Sequence, residues 1–424
     1  MFFIIILYRE KIGVEFIMST GRLQINVFEE TFGKPIKNAK VQISESKSPE
    51  NILEEVITDI SGKSDIVNLN SPPLEYSLQV NEPLPYGEYN ITVTNEDFDT
   101  IKIEKVQILP DTIAEQNVFM QKKLNNIDDT STFLISEHTL YKNYPPKISE
   151  SSVKELPSAS GFVVLDKIVV PEYIVVHDGD PDDTNVPNYW IPYKEYIKNV
   201  ASSEIYATWP EEAIKANILA INSFVLNRVY TEWYRSKGKN FTITSTTSYD
   251  QKFIYQRNVF REISVIVDEL FSTYITKPNI KQPLFTQFCD GKNVSCPQWL
   301  SQWGSKELAE NGSNYLDILR YYYGSEIYLD VAPQISGVPV SFPGETLQSG
   351  STGNSVRTIQ QQLNSISKNY PAINKLIVDG IYGDKTVNSV KQFQEIFDMP
   401  QSGIVDYATW YEISKIYTAV ERLS

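Results

Sequence analysis

VASSEIYATWPEEAIKANILAINSFVLNR, residues 200–228, combines one long helix with one carboxylic acid that the helix does not explain. Pro210, preceded by Trp209, stands where a first-turn proline is tolerated. Glu211 and Glu212 then fall in the first turn, where carboxylates complement the helix dipole. Ile214, Ile218, Ile221, Val225 and Val229 follow at helical spacing and predict an amphipathic core helix. Glu204 is left over. It precedes the helix in a stretch read as strand to loop, beside Ser202, Ser203 and Tyr206. An acid near Tyr206 and Trp209 is partly desolvated, and desolvation favours the proton-donating form. Glu204 is therefore the acid of this run without a structural explanation.

Two further runs supply candidate neighbours. SQWGSKELAENGSNYLDILRYYYG, residues 301–324, offers Leu308, Tyr315, Ile318 and Leu319 to a core. Gln302 and Trp303 are the better candidates for a cleft, as an amide and a ring suited to sugars. Between the runs lies ITSTTSYDQKF, residues 243–253, whose Thr246, Tyr249, Asp250 and Gln251 are candidate cleft residues, with Tyr206 from the first run. Asp250 is the only acid in that polar run, so a hydrolase needing two carboxylates would use it as the second.

The rest of the chain bounds the chemistry. At 424 residues it is long enough for two to four domains. Apolar residues make up 41% and charged residues 21%, the balance of a folded protein. A net charge of −15 argues against nucleic-acid binding, which calls for a basic face, and suits a largely neutral ligand. The two cysteines, Cys289 and Cys296, give free thiols or one local loop disulfide ahead of a metal site, since neither His138 nor His177 is near in sequence. No metal or cofactor is expected.

Residues 1–20 read as an uncertain leader. The apolar run at residues 2–8 is too short to span a membrane, and Met18 is an alternative start. Residues 21–125 alternate apolar and polar positions, as in Leu23, Ile25, Val27 and Ala39, Val41, Ile43, which predicts half-buried strands of a β-sandwich. Residues 126–157 read as a linker, exposed and open to proteolysis around the paired prolines of 143–157. An α+β catalytic domain is expected over 158–332, then a proline-rich linker over 333–346. Residues 347–424 place Val356, Ile359, Leu363, Ile366 and later Val387, Val390, Phe393, Phe397 on helix faces, predicting a small helical domain.

Several motifs resemble known families. Residues 200–216, with one extra serine, and residues 301–324 together resemble the catalytic module of the SpoIID family, lytic transglycosylases of bacterial peptidoglycan. That resemblance implies Glu204 as both acid and base on the MurNAc–GlcNAc bond, giving 1,6-anhydromuramic ends. Two positions depart from the family pattern. Asn222 stands where an arginine is common, and Cys296 where a histidine is. The D-G-x-Y-G turn at 379–383 and the Phe393-Gln394 pair resemble the three-helix peptidoglycan-binding domain type 1, which implies that Tyr382 and Gln394 contact glycan. The LPYGEYNITV run at 84–93 resembles a transthyretin-like sandwich.

The three-part order resembles the clostridial spore cortex-lytic enzymes of the SleC group. The resemblance implies a spore cortex location, a role in germination, and a precursor activated by a Csp-type serine protease that removes residues up to about 156. The alternatives it leaves are an N-acetylmuramoyl-L-alanine amidase and a non-catalytic wall-binding protein.

Overall fold

A computed structural model describes residues 18–30, 33–80, 82–124, 129–141, 144–148 and 167–423. Residues 1–17 of the expected leader at 1–20 and most of the expected processing region at 143–157 lie outside the described residues.

The N-terminal part holds two sheets. β1 (Ser19–Glu29) lies between β4 (Val67–Ser71), antiparallel, and β7 (Ile113–Met120), parallel. The second sheet runs β3 (Ile52–Ile57), β2 (Lys40–Glu45), β5 (Gly87–Thr94), β6 (Thr100–Ile108) and β8 (Thr130–Leu134). The alternation read in the sequence becomes the core: Leu23, Ile25, Val27, Ala39, Val41 and Ile43 have no exposed surface. Truncating one such leucine or isoleucine to alanine costs about 2–5 kcal/mol. The Thr58–Gly62 turn closes on Asp59, whose Oδ1 accepts from the backbones of Ser61 and Lys63. Gly62 is required there: its φ is +75°, and a Cβ would sit 2.5 Å from the Val27 carbonyl oxygen. A four-residue helix, α1 (Glu75–Leu78), projects towards the middle of the chain.

The central part contributes a strand to the first sheet. β13 (Val259–Phe260) pairs antiparallel with β7, a union that local patterning does not announce. Its own small sheet orders β11 (Asn188–Pro192), β10 (Tyr173–His177) and β12 (Ile243–Thr244). β9 (Val169–Val170) pairs with β18 (Gln334–Ile335), and β14 (Thr273–Thr276) with β17 (Tyr328–Val331).

Two long helices form the centre, α2 (Tyr193–Glu204) and α3 (Glu211–Tyr230). α3 is buried on nearly every face rather than on one. α2, α4 (Arg261–Leu270), α5 (Gln302–Glu310), α6 (Tyr315–Tyr323) and β14 surround it.

The C-terminal part packs α7 (Asn354–Ile366), α8 (Asp384–Ile396) and α9 (Tyr407–Leu423) around Ile359, Leu363, Phe393 and Trp410. It is joined to the central part by a buried ionic network. Lys194 pairs with Glu412 and with Asp268 (2.9 Å), Lys198 with Asp268 (3.0 Å), and Lys415 with Glu195 (2.8 Å). Asp398 ties all three parts together, meeting Lys63 and Arg261 at 2.6 Å each, while Arg261 also meets Glu115.

Candidate active site

Glu204 is the last residue of α2, not part of a strand or loop. The helix stops because Ile205 turns to extended backbone (φ −138°, ψ 156°), and Pro210 then holds Trp209 out of helical conformation before α3. Glu204 is fully buried. Its Oε1 accepts from the Lys252 backbone N–H (2.7 Å) and, at 3.4 Å, from the Thr247 hydroxyl. Its Oε2 accepts from Gln302 Nε2 (3.1 Å), which also donates to the Glu204 carbonyl (3.0 Å). These partners are all neutral. They are preorganised to hold the charge that remains when a proton leaves the acid.

Each donor is fixed from behind. The 245–254 loop is pinned to α2 by Asn199, which donates to the Ile254 carbonyl (2.8 Å) and accepts from the Ile254 N–H (3.0 Å). Gln251 is fully buried. It accepts from the Tyr196 hydroxyl and donates to the Ile221 carbonyl, so it anchors the loop and does not line a cleft. Gln302 opens α5, whose start is capped by the Ser301 hydroxyl accepting from the Gly304 N–H. Cys289 and Cys296 form a disulfide behind this start, with Cys289 on β15 (Phe288–Cys289), parallel to β16 (Leu300–Ser301).

Other sequence candidates land elsewhere. Asp250 is fully buried and meets Arg228 at 2.8 Å, with the Tyr234 hydroxyl and both the N–H and hydroxyl of Thr244 on its other oxygen. Burial pushes its pKa up, but Arg228 and these donors prevail and hold the carboxyl below the usual range. It is a structural ion pair, not a second cleft carboxylate. Trp303 is buried 5.0 Å from Trp209, and Tyr206 stacks on His138 at 4.3 Å, so neither offers a free ring to a sugar here. Thr246 is half-buried in a cavity wall, and Tyr249 is half-buried near Asp180 and Asp182.

In the C-terminal part Tyr382 donates to the Gly403 carbonyl, and Gln394 donates to the Ile404 carbonyl and accepts from the Gly403 N–H. Both are buried and hold turns rather than presenting themselves to a ligand. Asn222, at the departed arginine position, accepts from the Tyr193 hydroxyl and donates to the Thr273 carbonyl, a neutral filling of that place.

Residues 138–141 and 144–148 fall in the expected 126–157 linker, yet they lie against the site. Thr139 N–H donates to the Ser203 carbonyl, Ile148 N–H to the Ser248 carbonyl, and His138 Nε2 lies 3.2 Å from the Ile205 carbonyl. Tyr144 is buried, and its hydroxyl pKa is driven up by burial and then by Glu204 and Asp290. The Lys147 ammonium donates to the Asp250 carbonyl (2.9 Å) and is pushed down to about 8 by burial, against the pull of Glu204 and Asp250. The sequence reading missed Thr247, Lys252 and the placement of these residues. Thr247 lies one position from a chosen threonine, and a backbone donor such as the Lys252 N–H leaves no trace in residue type.

Residues 184–269 match the family described as Stage II sporulation protein (SpoIID), and residues 352–413 match a peptidoglycan binding domain family. No curated protein matches the chain. Among solved structures, the SleB N-terminal domain is 27% identical over 18% of this chain and 99% of its own, with a TM-score of 0.16. A type II cohesin–X-dockerin complex from Acetivibrio cellulolyticus is 13% identical over 26% and 64%, with a TM-score of 0.18. A mutant catechol 1,2-dioxygenase of Acinetobacter radioresistens is 14% identical over 27% and 58%, also at 0.18. None of these assigns the N-terminal sheets to a transthyretin-like family.

Proposed function

We propose that the chain is a lytic transglycosylase that cleaves the MurNAc–GlcNAc bond of spore cortex peptidoglycan during germination, with Glu204 as acid and base. The observation that carries this reading is one buried carboxylate held only by neutral donors, while Asp250, the natural second carboxylate, is committed to Arg228. A two-carboxylate glycosidase needs its second acid free to attack or to activate water. A transglycosylase does not. Glu204 protonates the glycosidic oxygen as the bond to C1 of the muramic residue breaks. That residue's own C6 hydroxyl then bonds to C1 and returns its proton to Glu204. The matches to the SpoIID family and to a peptidoglycan binding domain support peptidoglycan as the substrate and a wall or spore location outside the cytoplasm.

The same reading includes synthesis as a precursor. Residues 138–141 and 144–148 lie against the backbone around Glu204 and its donor loop, so a cut by a Csp-type serine protease within 143–157 and departure of the N-terminal part would uncover that side of the site. The test digests cortex peptidoglycan with the intact chain, the chain cut in 143–157, and the cut Glu204→Gln variant, and identifies fragments by mass spectrometry. The expected products are anhydromuramic ends, made by the cut chain and absent with Glu204→Gln. New reducing ends would make it a hydrolase, released peptides an amidase, and no products a wall-binding protein. Equal rates from intact and cut chains would remove the precursor reading.

A further inference from the structure

Residues 333–346, expected as a linker, do not leave the C-terminal part on a tether. Gln334–Ile335 pairs with Val169–Val170, and three later positions are bonded to α9. The Gly337 carbonyl accepts from the Thr418 hydroxyl (3.2 Å), the Val340 carbonyl from Trp410 Nε1 (3.0 Å), and the Phe342 N–H donates to the Tyr411 hydroxyl (3.2 Å).

α9 in turn seats on the start of α2 and the end of α4. Phe271, just past α4, meets the rings of Tyr407 (5.9 Å) and Tyr411 (5.6 Å), and the Ser272 hydroxyl lies 2.7 Å from that of Tyr407. Beside these rings run the ionic contacts of the junction, Glu412 with Lys194 and Lys415 with Glu195, with Asp268 between Lys194 and Lys198. The cluster holds three cations and three acids, all six drawn from the central and C-terminal parts. Buried ion pairs add little to stability over apolar packing of the same volume. What a balanced cluster imposes is register. Sliding α9 along α2 by one helical turn, about 5.4 Å, strips charges of their partners.

α2 is the element that matters, because Glu204 is its last residue. Lys194 and Glu195 are in its first turn, so the grip of α9 and the acid are at opposite ends of one helix, about 15 Å apart at 1.5 Å per residue. Midway, Lys198 belongs to the cluster, and its neighbour Asn199 pins the 245–254 loop that brings the Lys252 N–H to Glu204. The other donor, Gln302, stands on α5. The position of α2 along its own axis therefore decides how Glu204 meets Gln302.

We infer that the C-terminal part is a fixed member of the active centre rather than a tethered anchor, and that Glu412 and Lys415 are positioning residues that hold α2, and with it Glu204, in register with Gln302. The inference rests on the glycan-cleaving reading for the role of Glu204. A glycan bound by the C-terminal part then meets the acid at one distance and orientation.

Hydrogen exchange tests the coupling without any cleavage. In the full chain and in the chain cut within 143–157, Lys415→Met should speed exchange of the Lys252 amide by about tenfold, while amides inside α3 stay as protected as in wild type. A soluble tetrasaccharide prepared from cortex glycan needs no anchoring to a wall. On it the cut variant should lose about tenfold in kcat with KM within about twofold, because the acid is displaced and sugar binding is not. Lys415→Arg should restore most of both. Glu195→Gln is the milder variant should Lys415→Met fail to fold, and about threefold changes are expected from it in both readouts. Unchanged Lys252 exchange, unchanged kcat, or an equal loss of protection throughout α3 would each overturn the inference. A wild type that yields no glycan product fails the cleavage reading instead, and the exchange result still decides whether α9 sets the position of Glu204.

Discussion

Two buried carboxylates of the central part, Glu204 and Asp250, sit on opposite sides of the 245–254 loop's function. Both are essentially without exposed surface, and both accept hydrogen bonds from that loop or its flanks. Asp250 is matched by a full positive charge, with Arg228 on one oxygen and Tyr234 and Thr244 on the other. Glu204 is matched by an amide, a hydroxyl and a backbone N–H. A carboxylate locked to a guanidinium has little reason to give or take a proton. One cradled by neutral donors can do either at modest cost. Partner type, more than burial, separates the structural acid from the proposed catalytic one.

The comparison is broken most sharply by exchanging each acid for its amide. In the chain cut within 143–157, Glu204→Gln should lower the rate of glycan cleavage by roughly 10⁴-fold, since both proton transfers are lost. Its denaturant midpoint should stay near that of wild type. Asp250→Asn should do the reverse: a loss of about 3–5 kcal/mol in stability, because the buried Arg228 loses its carboxylate. If Asp250→Asn folded normally but lost cleavage as Glu204→Gln does, Asp250 would be a working acid after all.

The pH dependence of stability sharpens the same contrast. Asp250 has a folded-state pKa below its unfolded value of about 3.9. Its contribution is therefore complete above about pH 4 and drains away as pH falls through the folded value. Acid titration of unfolding free energy should show a slope below pH 4 in wild type that is smaller in Asp250→Asn. An unchanged slope would mean that Arg228 does not govern the carboxyl.

Much of this could be read from residue types, and the rest could not for definite reasons. Leu23, Ile25 and Val27 alternate because the strand does, and a two-residue period survives any tertiary arrangement. Glu204 stood out because Glu211 and Glu212 had a place at a helix start and it had none. Asp250 misled because an acid in a polar run looks the same whether its partner is water or Arg228, which lies more than twenty positions away. Tyr382 and Gln394 misled similarly, since turn-holding side chains and ligand-holding ones are drawn from the same residues. The placement of residues 138–141 and 144–148 against the site is illegible because prolines and charges mark a segment as irregular without saying what it lies against. β13 joining β7 is a non-local pairing that two residues cannot announce.

Gln302 offers a smaller and cleaner perturbation. Its Nε2 holds both the carboxylate and the carbonyl of Glu204, while its Oε1 is buried without a partner. Gln302→Leu removes the unsatisfied acceptor but leaves the buried Oε2 and carbonyl of Glu204 without this donor, so stability should fall by about 1–3 kcal/mol. The cleavage rate should still fall roughly 10–100-fold, because a preorganised donor to the working acid is gone. A large stability loss with an unchanged rate would place Gln302 among the structural residues with Gln251.

Thr247 should matter least. Its hydroxyl reaches Glu204 Oε1 at 3.4 Å, near the limit of a useful hydrogen bond, and shares that oxygen with the much shorter Lys252 N–H bond. Thr247→Val keeps the shape and removes only the hydroxyl, so the cut chain should lose about two- to fivefold in cleavage rate, with stability little altered. The size of this effect is informative in either direction. Apo hydrogen bonds at catalytic groups are often long and tighten only around the substrate. A loss near 10²-fold would mean that the threonine closes on Glu204 once residues 138–141 and 144–148 have left, and that the neutral cradle is completed by opening the site.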